Sequence, residues 1–230
     1  MIAVIIPTWN EEKALPQSLA QLFRQRGRYR VLVVDGGSTD QTREIAGGDP
    51  GIRLLSAPKG RAIQMNAGAR AAAKFTGPDD WLLFLHADTI LPDGALERLN
   101  ALKADSAVQA GGFQHRFTGR DWRLRLISWL DNLRCRYSHI IYGDQALFVR
   151  RALFERVGGF PEQPILEDVA LCERLLGETR PILLTPPVLT DARKFVQMGI
   201  WRSLGRVLLI IMHVQFRVPV LPRQFFRDIR

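Results

Sequence analysis

The chain has 230 residues, 47% of them apolar, and a net charge of +9. That is enough for one large domain, or a domain with an appendage, and too apolar for a disordered chain. The two cysteines, Cys135 and Cys172, form no Cys-x-x-Cys pair, which argues against a disulfide scaffold and a zinc site and fits a reducing compartment. From Arg193 onward there are eight Lys/Arg and one acid, so the first 192 residues are nearly neutral and the tail is cationic.

Met1-Ile2-Ala3-Val4-Ile5-Ile6 is apolar, lacks a preceding cationic region and is stopped by Pro7, so it reads as a first strand rather than a signal peptide. Leu15, Leu19, Leu22 and Phe23 recur at helical spacing. Val31 to Val34 is a four-residue apolar run closed by Asp35 and a glycine turn, the pattern of a strand buried on both faces. Thr39-Asp40 opens a helix to about Ala46, Ile52 to Ser56 is a third strand, and Gly60 to Ala73 a third helix. Trp81 to Leu85 is a fourth strand, ending in His86-Ala87-Asp88-Thr89. This alternation predicts an α/β fold with right-handed crossovers and a mostly parallel open sheet covered by helices on both faces. Further on, the spacing predicts a helix over 93–102, a strand over 108–117, an amphipathic helix over 121–134, a strand over 145–149 and a helix over 167–176.

Ligands of open α/β sheets sit beyond the carboxyl ends of the strands. Asp35 stands at such an end, where a carboxylate can accept hydrogen bonds from a base or ribose, or merely cap its own turn at Gly37 or Ser38. Neither the Gly-x-Gly-x-x-Gly fingerprint nor a Gly-Lys-Ser/Thr phosphate loop is present. In their place Pro7-Thr8-Trp9-Asn10-Glu11-Glu12 offers Thr8 and Glu11 to a nucleoside, or a plain helix N-terminus favoured by its acids. Gly60-Arg61 suits a base or phosphate, while the alanines that follow fit close packing of helix on sheet. Asp88 emerges at the rim of strand four beside His86; magnesium or manganese needs only one or two carboxylates plus phosphate oxygens and water. Glu167-Asp168, behind Gly158-Gly159-Phe160, is either dipole complementarity or a general base on a rigid element, and Gly143-Asp144-Gln145 either lines the same cleft or turns the chain.

Together these segments resemble glycosyltransferase family 2, the inverting nucleotide-sugar transferases with the GT-A fold, and among them a bacterial subgroup of short single-domain members. The resemblance covers roughly residues 1–200, with five motifs in order. It implies a nucleotide-sugar half over about 1–110, an acceptor and catalytic half over 111–192, and a basic apolar helical segment over 193–230. By resemblance, Pro7, Thr8, Glu11, Asp35, Arg61 and Ala87 bind the nucleotide-sugar. Asp88 ligates a divalent metal (Mn2+ or Mg2+) on the diphosphate, and Asp168 is the catalytic base. Gly143, Asp144, Glu167 and Arg193 lie on the acceptor or diphosphate side. His86 departs from the family, which usually has the first aspartate of Asp-x-Asp there; Arg193-Lys194-Phe195 stands where relatives often carry Arg-Arg-Trp.

The tail from Gly199 to Phe216 is apolar but interrupted by Arg202 and Arg206, so it falls short of the ~20 residues of a spanning helix. Its arginines and aromatics have the composition of an interfacial segment on an anionic leaflet, with packing on the domain as the alternative. The helix over 121–134, with Trp122, Leu126, Trp129, Leu130 and Leu133 on one side, is expected to wall the acceptor site or join the core. The resemblance implies transfer to an acceptor hydroxyl or a lipid-linked acceptor, and the expected location is the cytoplasm, either free or peripheral on the cytoplasmic face of the membrane. The rivals are a nucleotidyltransferase, which usually opens with a glycine- and lysine-rich loop absent here, and a non-enzymatic basic protein binding nucleic acid or a membrane surface. No nucleic acid is expected, because the basic residues concentrate in an apolar tail rather than in a recognised binding motif.

Overall fold

The structure, a computed structural model, describes residues 1–163, 165–192, 196–205 and 209. It is built on one sheet of eight strands in the order β3-β2-β1-β4-β7-β6-β8-β5. β1 (Ile2–Thr8), β2 (Tyr29–Asp35), β3 (Ile52–Ser56) and β4 (Trp81–Phe84) are parallel, linked through α1 (Leu15–Leu22), α2 (Thr42–Gly47) and α3 (Arg61–Ala72). The chain winds outward from β1 to β3 and then crosses back to place β4 on the other side of β1. The crevice between the carboxyl ends of β1 and β4 is therefore a topological switch point, the place where this architecture receives ligands.

The remaining elements are β5 (Thr89–Ile90), α4 (Ala95–Leu102), β6 (Ala110–Phe117), α5 (Trp122–Ser138), β7 (Phe148–Arg150), α6 (Arg151–Arg156), α7 (Glu167–Leu176) and β8 (Ile182–Thr190). β7 runs antiparallel to both β4 and β6, β8 parallel to β6, and the short β5 antiparallel to β8. A mixed half thus continues the parallel half without interruption across residue 110.

The period of two in β1 sets the layers. Ala3 and Ile5 pack with α3, α6 and α7 residues such as Met65, Phe154 and Leu171, while Ile2, Val4 and Ile6 face α1 and α4 through Leu15, Leu19 and Leu96. Gly68 lets α3 lie close on the sheet, since a Cβ there would come within 2.4 Å of Ile5 Cγ2. Trp81 is fully buried and donates its indole N–H to Leu99 O at 2.7 Å, which anchors α4 to β4. Burial of such a ring contributes about 2 to 3 kcal/mol.

Several elements differ from the expectation. β8 carries Pro186-Pro187, which reads as a strand breaker; the β6–β8 register is irregular where Leu184 pairs Phe113 and Val188 pairs His115, and the prolines fall in that gap. The strand expected over 145–149 begins only at Phe148, because residues 143–145 form a 3₁₀ turn. α5 runs four residues beyond Arg134 and ends where His139 enters the left-handed region (φ 56°). It does not join the core through its apolar side: Trp122, Trp129 and Leu130 are exposed. The inward face buries Leu124 and Ile127 and adds polar contacts, with Ser128 accepting from Phe117 N and Asn132 bonding both backbone groups of His115.

Candidate active site

The two loops beyond β1 and β2 are laced together. Asn10, in the left-handed region, accepts from Thr39 N at 2.9 Å and donates its own backbone N–H to Ser38 Oγ. Glu11 N donates to Thr42 Oγ1, and Glu12 N to Asp40. Asp35 is fully buried and turned into its own loop, accepting from Gly37 N, Ser38 N, Ser38 Oγ and Arg43. Burial pushes its carboxyl up, but the Ser38 and Arg43 bonds outweigh that and hold it below the usual carboxylate range. Gln64 on α3 fastens the strand ends from beneath, donating to Thr8 O at 2.7 Å and Val34 O at 2.8 Å. Thr8 and Pro7 are buried at the end of β1. The open face of this region is Trp9, 40% exposed, with Lys59 Nζ 3.0 Å above its ring centroid.

Arg61, the first residue of α3, reaches across to α7 and pairs with the buried Glu167 at 3.0 Å. That ion pair ties the nucleotide-side elements to the helix that carries Asp168. Leu166, in the left-handed region, turns the chain into α7. Asp168 is held in one orientation: Oδ2 accepts from Gly143 N at 2.6 Å and Oδ1 from its own neighbour Val169 N at 2.8 Å. Gly143 is required by its surroundings. A Cβ there would meet His86 Nε2 at 2.5 Å and Asp168 Oδ2 at 3.5 Å. His86, from the end of β4, and Asp168, from α7, therefore flank the same backbone position. Asp88 lies two residues beyond His86, after a turn closed by Thr89 N to His86 O. Ala87 between them is buried in the core.

Asp144 completes the cluster. Its Oδ2 is 3.6 Å from His115 Nε2, a contact that is ionic only when the imidazole is protonated. Burial pushes the Asp144 carboxyl up to about 6; His115 opposes the shift, and the negative charges of Asp131, Asp168 and Asp88 add to it. Asp88, Asp144 and Asp168 thus share one electrostatic neighbourhood, and among the described residues none of the three pairs with a lysine or arginine. Asp144 Oδ1, Gln145 Nε2 and both ring nitrogens of His115 are buried without a hydrogen-bond partner. A group so placed is costly to leave unmet, which marks this wall as one completed by a ligand or water.

The wall rests on the two cysteines. Cys135 donates to Gln145 Oε1 and Cys172 to Ile141 O, and burial pushes both thiols up to about 12, so they are props rather than nucleophiles. Arg134 lies 3.8 Å over the Tyr142 ring and pairs with Asp131.

The sequence-predicted residues thus form two groups. Asp88, Gly143, Asp144 and Asp168 converge, with Glu167 and Arg61 as a bridge beside them, whereas Pro7, Ala87 and Asp35 are buried in strand ends and turns. Arg193 lies outside the described residues. Sequence reasoning missed Trp9, Lys59, Gln64 and His115. The signal for His115 was an imidazole at a buried position of β6, between the less buried Gln114 and the exposed Arg116; Gln64 gave none, because its partners are backbone oxygens of distant strands.

The Glycosyl transferase family 2 model matches residues 3–159. The chain belongs to that family. A PGL/p-HBAD biosynthesis glycosyltransferase of Mycobacterium bovis is 34% identical over 171 residues, 70% of this chain and 63% of that protein. The chain thus spans less than two thirds of the length of that curated relative. Among solved structures, a mannosyltransferase of Pyrobaculum calidifontis in complex with GDP-Man and Mn2+ superposes with a TM-score of 0.66, at 26% identity over 98% of this chain and 67% of that one. Staphylococcus aureus TarS in complex with UDP-GlcNAc gives a TM-score of 0.66 at 18% identity, over 93% of this chain and 66% of that one, a likeness of fold. The chain has the GT-A fold of these neighbours.

Proposed function

We propose that the protein transfers a sugar, with inversion, from a nucleoside-diphosphate sugar to an acceptor hydroxyl. The observation that carries this reading is Asp168 clamped by Gly143 N beside His86 at the end of β4, with the charges of Asp88 and Asp168 both acting on Asp144. Three carboxylates with no lysine or arginine paired to them among the described residues, and only His115 beside Asp144, leave an excess of negative charge that suits a cation. No three His, Cys, Asp or Glu side chains among the described residues surround a metal-sized point. A divalent ion needs only one or two carboxylates from a protein beside phosphate oxygens and water, and Asp88 would be the residue that holds it. Mn2+ or Mg2+ bound there supplies charge neutralisation for the departing diphosphate.

In this mechanism the chain's residues bind, orient and move one proton. Trp9 and Lys59 offer an aromatic face and a cation to the donor's base or phosphates, beside Thr8, Glu11 and Asp35. Arg61, kept in place by Glu167, is the cation for the diphosphate, and Arg193, outside the described residues, is assigned to the same side by the resemblance alone. The acceptor hydroxyl gives its proton to Asp168 as its oxygen attacks the anomeric carbon. The bond from that carbon to the diphosphate breaks on the opposite face, and the nucleoside diphosphate leaves. The two hydrogen bonds on Asp168 fix its direction without occupying every lone pair. The His115–Asp144 wall orients the acceptor. A lipid-linked acceptor and a peripheral position on the cytoplasmic face of a membrane, helped by the cationic tail, accord with the uneven charge. No helix among the described residues is long and apolar enough to cross a membrane.

A thermal-shift panel of UDP- and GDP-sugars, each with Mn2+ or Mg2+, identifies the donor, because a ligand binding only the folded state raises its melting temperature. The best donor is then incubated with candidate acceptors and the released nucleotide analysed. Nucleoside diphosphate supports transfer; inorganic diphosphate, or no stabilisation by any nucleotide-sugar, overturns the reading.

A further inference from the structure

α5 buries only two of its large apolar side chains, Leu124 and Ile127; its exposed ones form a stripe that faces solvent. At 100° per residue, Trp122, Leu126, Trp129, Leu130 and Tyr137 fall within about a third of the helix circumference. They are 63, 38, 58, 41 and 81% exposed. The opposite side holds Leu124, Ile127, Ser128 and Cys135, all buried against the domain. The helix thus leaves its broader apolar stripe outside, because the inward positions beyond Leu124 and Ile127 are taken by Ser128, Asn132 and Cys135, which hold β6 and the 142–145 turn in place.

The stripe continues onto a second segment. Residues 200–205 are helical, with Ile200 packed on Leu124 and Ile127 while Trp201 points outward. Trp201 is 57% exposed and its ring lies 6.5 Å from that of Trp122, edge to face. Two chain segments therefore present three tryptophans on one surface. Arg120, Arg125, Arg136 and Arg202 are exposed around it and make no ion pair among the described residues. Indole rings above aliphatic side chains, within a cationic margin, match the headgroup region of an anionic bilayer. The charge also argues against the alternative occupants. Residues 206–230 hold five arginines and one acid, so they carry the same sign as the margin of this face, as would a second copy of the chain.

We infer that the outward face of α5, together with Trp201, is a docking surface for an anionic lipid bilayer. This goes beyond the cationic tail as the membrane contact and gives the bilayer a defined place on the fold. On the inner side of the same helix, Cys135 meets Gln145 and Asn132 holds His115, so the bilayer lies behind the acceptor wall. An acceptor anchored in that bilayer reaches the cleft past Asp144.

The test is flotation of the full-length protein with equimolar phosphatidylcholine–phosphatidylglycerol vesicles, against phosphatidylcholine alone. The wild type is expected to float with the anionic vesicles and to be released by salt. Trp122→Glu combined with Trp129→Glu should lower partitioning at least tenfold, and Arg125→Glu with Arg136→Glu by on the order of fivefold for each arginine removed. Nucleotide-sugar binding, followed by thermal shift on the same variants, should be unchanged, so failure of the transferase reading and failure of this one are told apart. Should the tryptophan pair fail to fold by circular dichroism, the arginine pair decides. A wild type left in the soluble fraction, or variants that float like the wild type, overturns the proposal. So does a dimer in sedimentation that the tryptophan pair dissociates, since the face would then be covered by a second copy.

Discussion

The loops beyond β1 and β2 and the wall formed by β6 and the 142–145 turn treat their polar groups in opposite ways. Around β1 and β2 almost every side chain has found an internal partner: Asp35 accepts from two backbone N–H groups, a hydroxyl and Arg43, and Gln64 spans two carbonyls. Around β6 and the 142–145 turn, His115, Asp144 Oδ1 and Gln145 Nε2 are buried without partners. The first arrangement is a rigid rim that a ligand meets ready-made. The second is a set of unmet demands that a ligand or water satisfies, and such unmet groups mark sites rather than scaffolds.

Asp168, which joins the two, gives the largest expected effect. Asp168→Ala should lower transfer by about 100-fold to 10,000-fold, the span of general-base catalysis, with nucleotide affinity nearly unchanged by calorimetry. Turnover like the wild type would move the base elsewhere, Asp144 being the next carboxylate in reach. Asp88→Ala should cost at least about tenfold in nucleotide affinity with Mn2+ or Mg2+ present and little in EDTA; equal affinity in both would remove Asp88 from the metal's ligands.

Gly143→Ala sharpens the comparison sterically. The new methyl would stand 2.5 Å from His86 Nε2, so either the imidazole or the Gly143 N–H that orients Asp168 must move. We expect kcat to fall about tenfold, and the same methyl to be tolerated when His86 is also replaced by Ala. No recovery in the double variant would mean that the backbone, not the ring, gives way.

Two carboxylates of opposite environment supply the smaller, pH-dependent effects. Asp80 is desolvated, but the Lys103 ammonium at 2.5 Å and the Met1 α-ammonium at 2.8 Å outweigh that and bring its carboxyl down to about 2. A carboxyl lowered in the folded state stabilises above its unfolded value, near 4, and the benefit disappears as pH falls toward 2. Asp80→Asn should therefore cost about 1 to 2 kcal/mol in urea unfolding at pH 7 and almost nothing at pH 2. Asp144 has the opposite sign. Raised to about 6, it favours the folded state while protonated and loses that contribution as pH rises from about 4 through 6. Asp144→Asn should melt above the wild type at pH 8, with the difference vanishing near pH 4. A variant that melts lower at pH 8 would show that the Asp144 carboxylate is met by partners in the ligand-free protein.

The parallel half was legible because each of its elements announces itself locally. Val31 to Val34 is a run only a doubly covered strand accepts, and Ile52 to Ser56 is a strand at the expected bounds. Elements of the mixed half were not: β5 has two residues, and β8 contains a proline pair that only an irregular register beside β6 makes acceptable. Among candidate site residues, Asp88, Asp144 and Asp168 stood out in their motifs, yet Asp35 turned inward to the loop it caps. Trp9, Lys59 and Gln64 carried no local signal, because what they contact lies far along the chain.

By itself, then, the sequence determined the order of strands and helices through β4, the family, and which carboxylates end strands or begin helices. These follow from hydrophobic period and turn chemistry, which act over a few residues. Tertiary structure alone decided that Glu167 holds Arg61, that Gly143 must lack a side chain between His86 and Asp168, and that α5 turns its tryptophans to solvent. Amphipathic spacing records that a helix has two faces. Which one is buried depends on what the rest of the chain offers, and here β6 and the 142–145 turn offered hydrogen bonds.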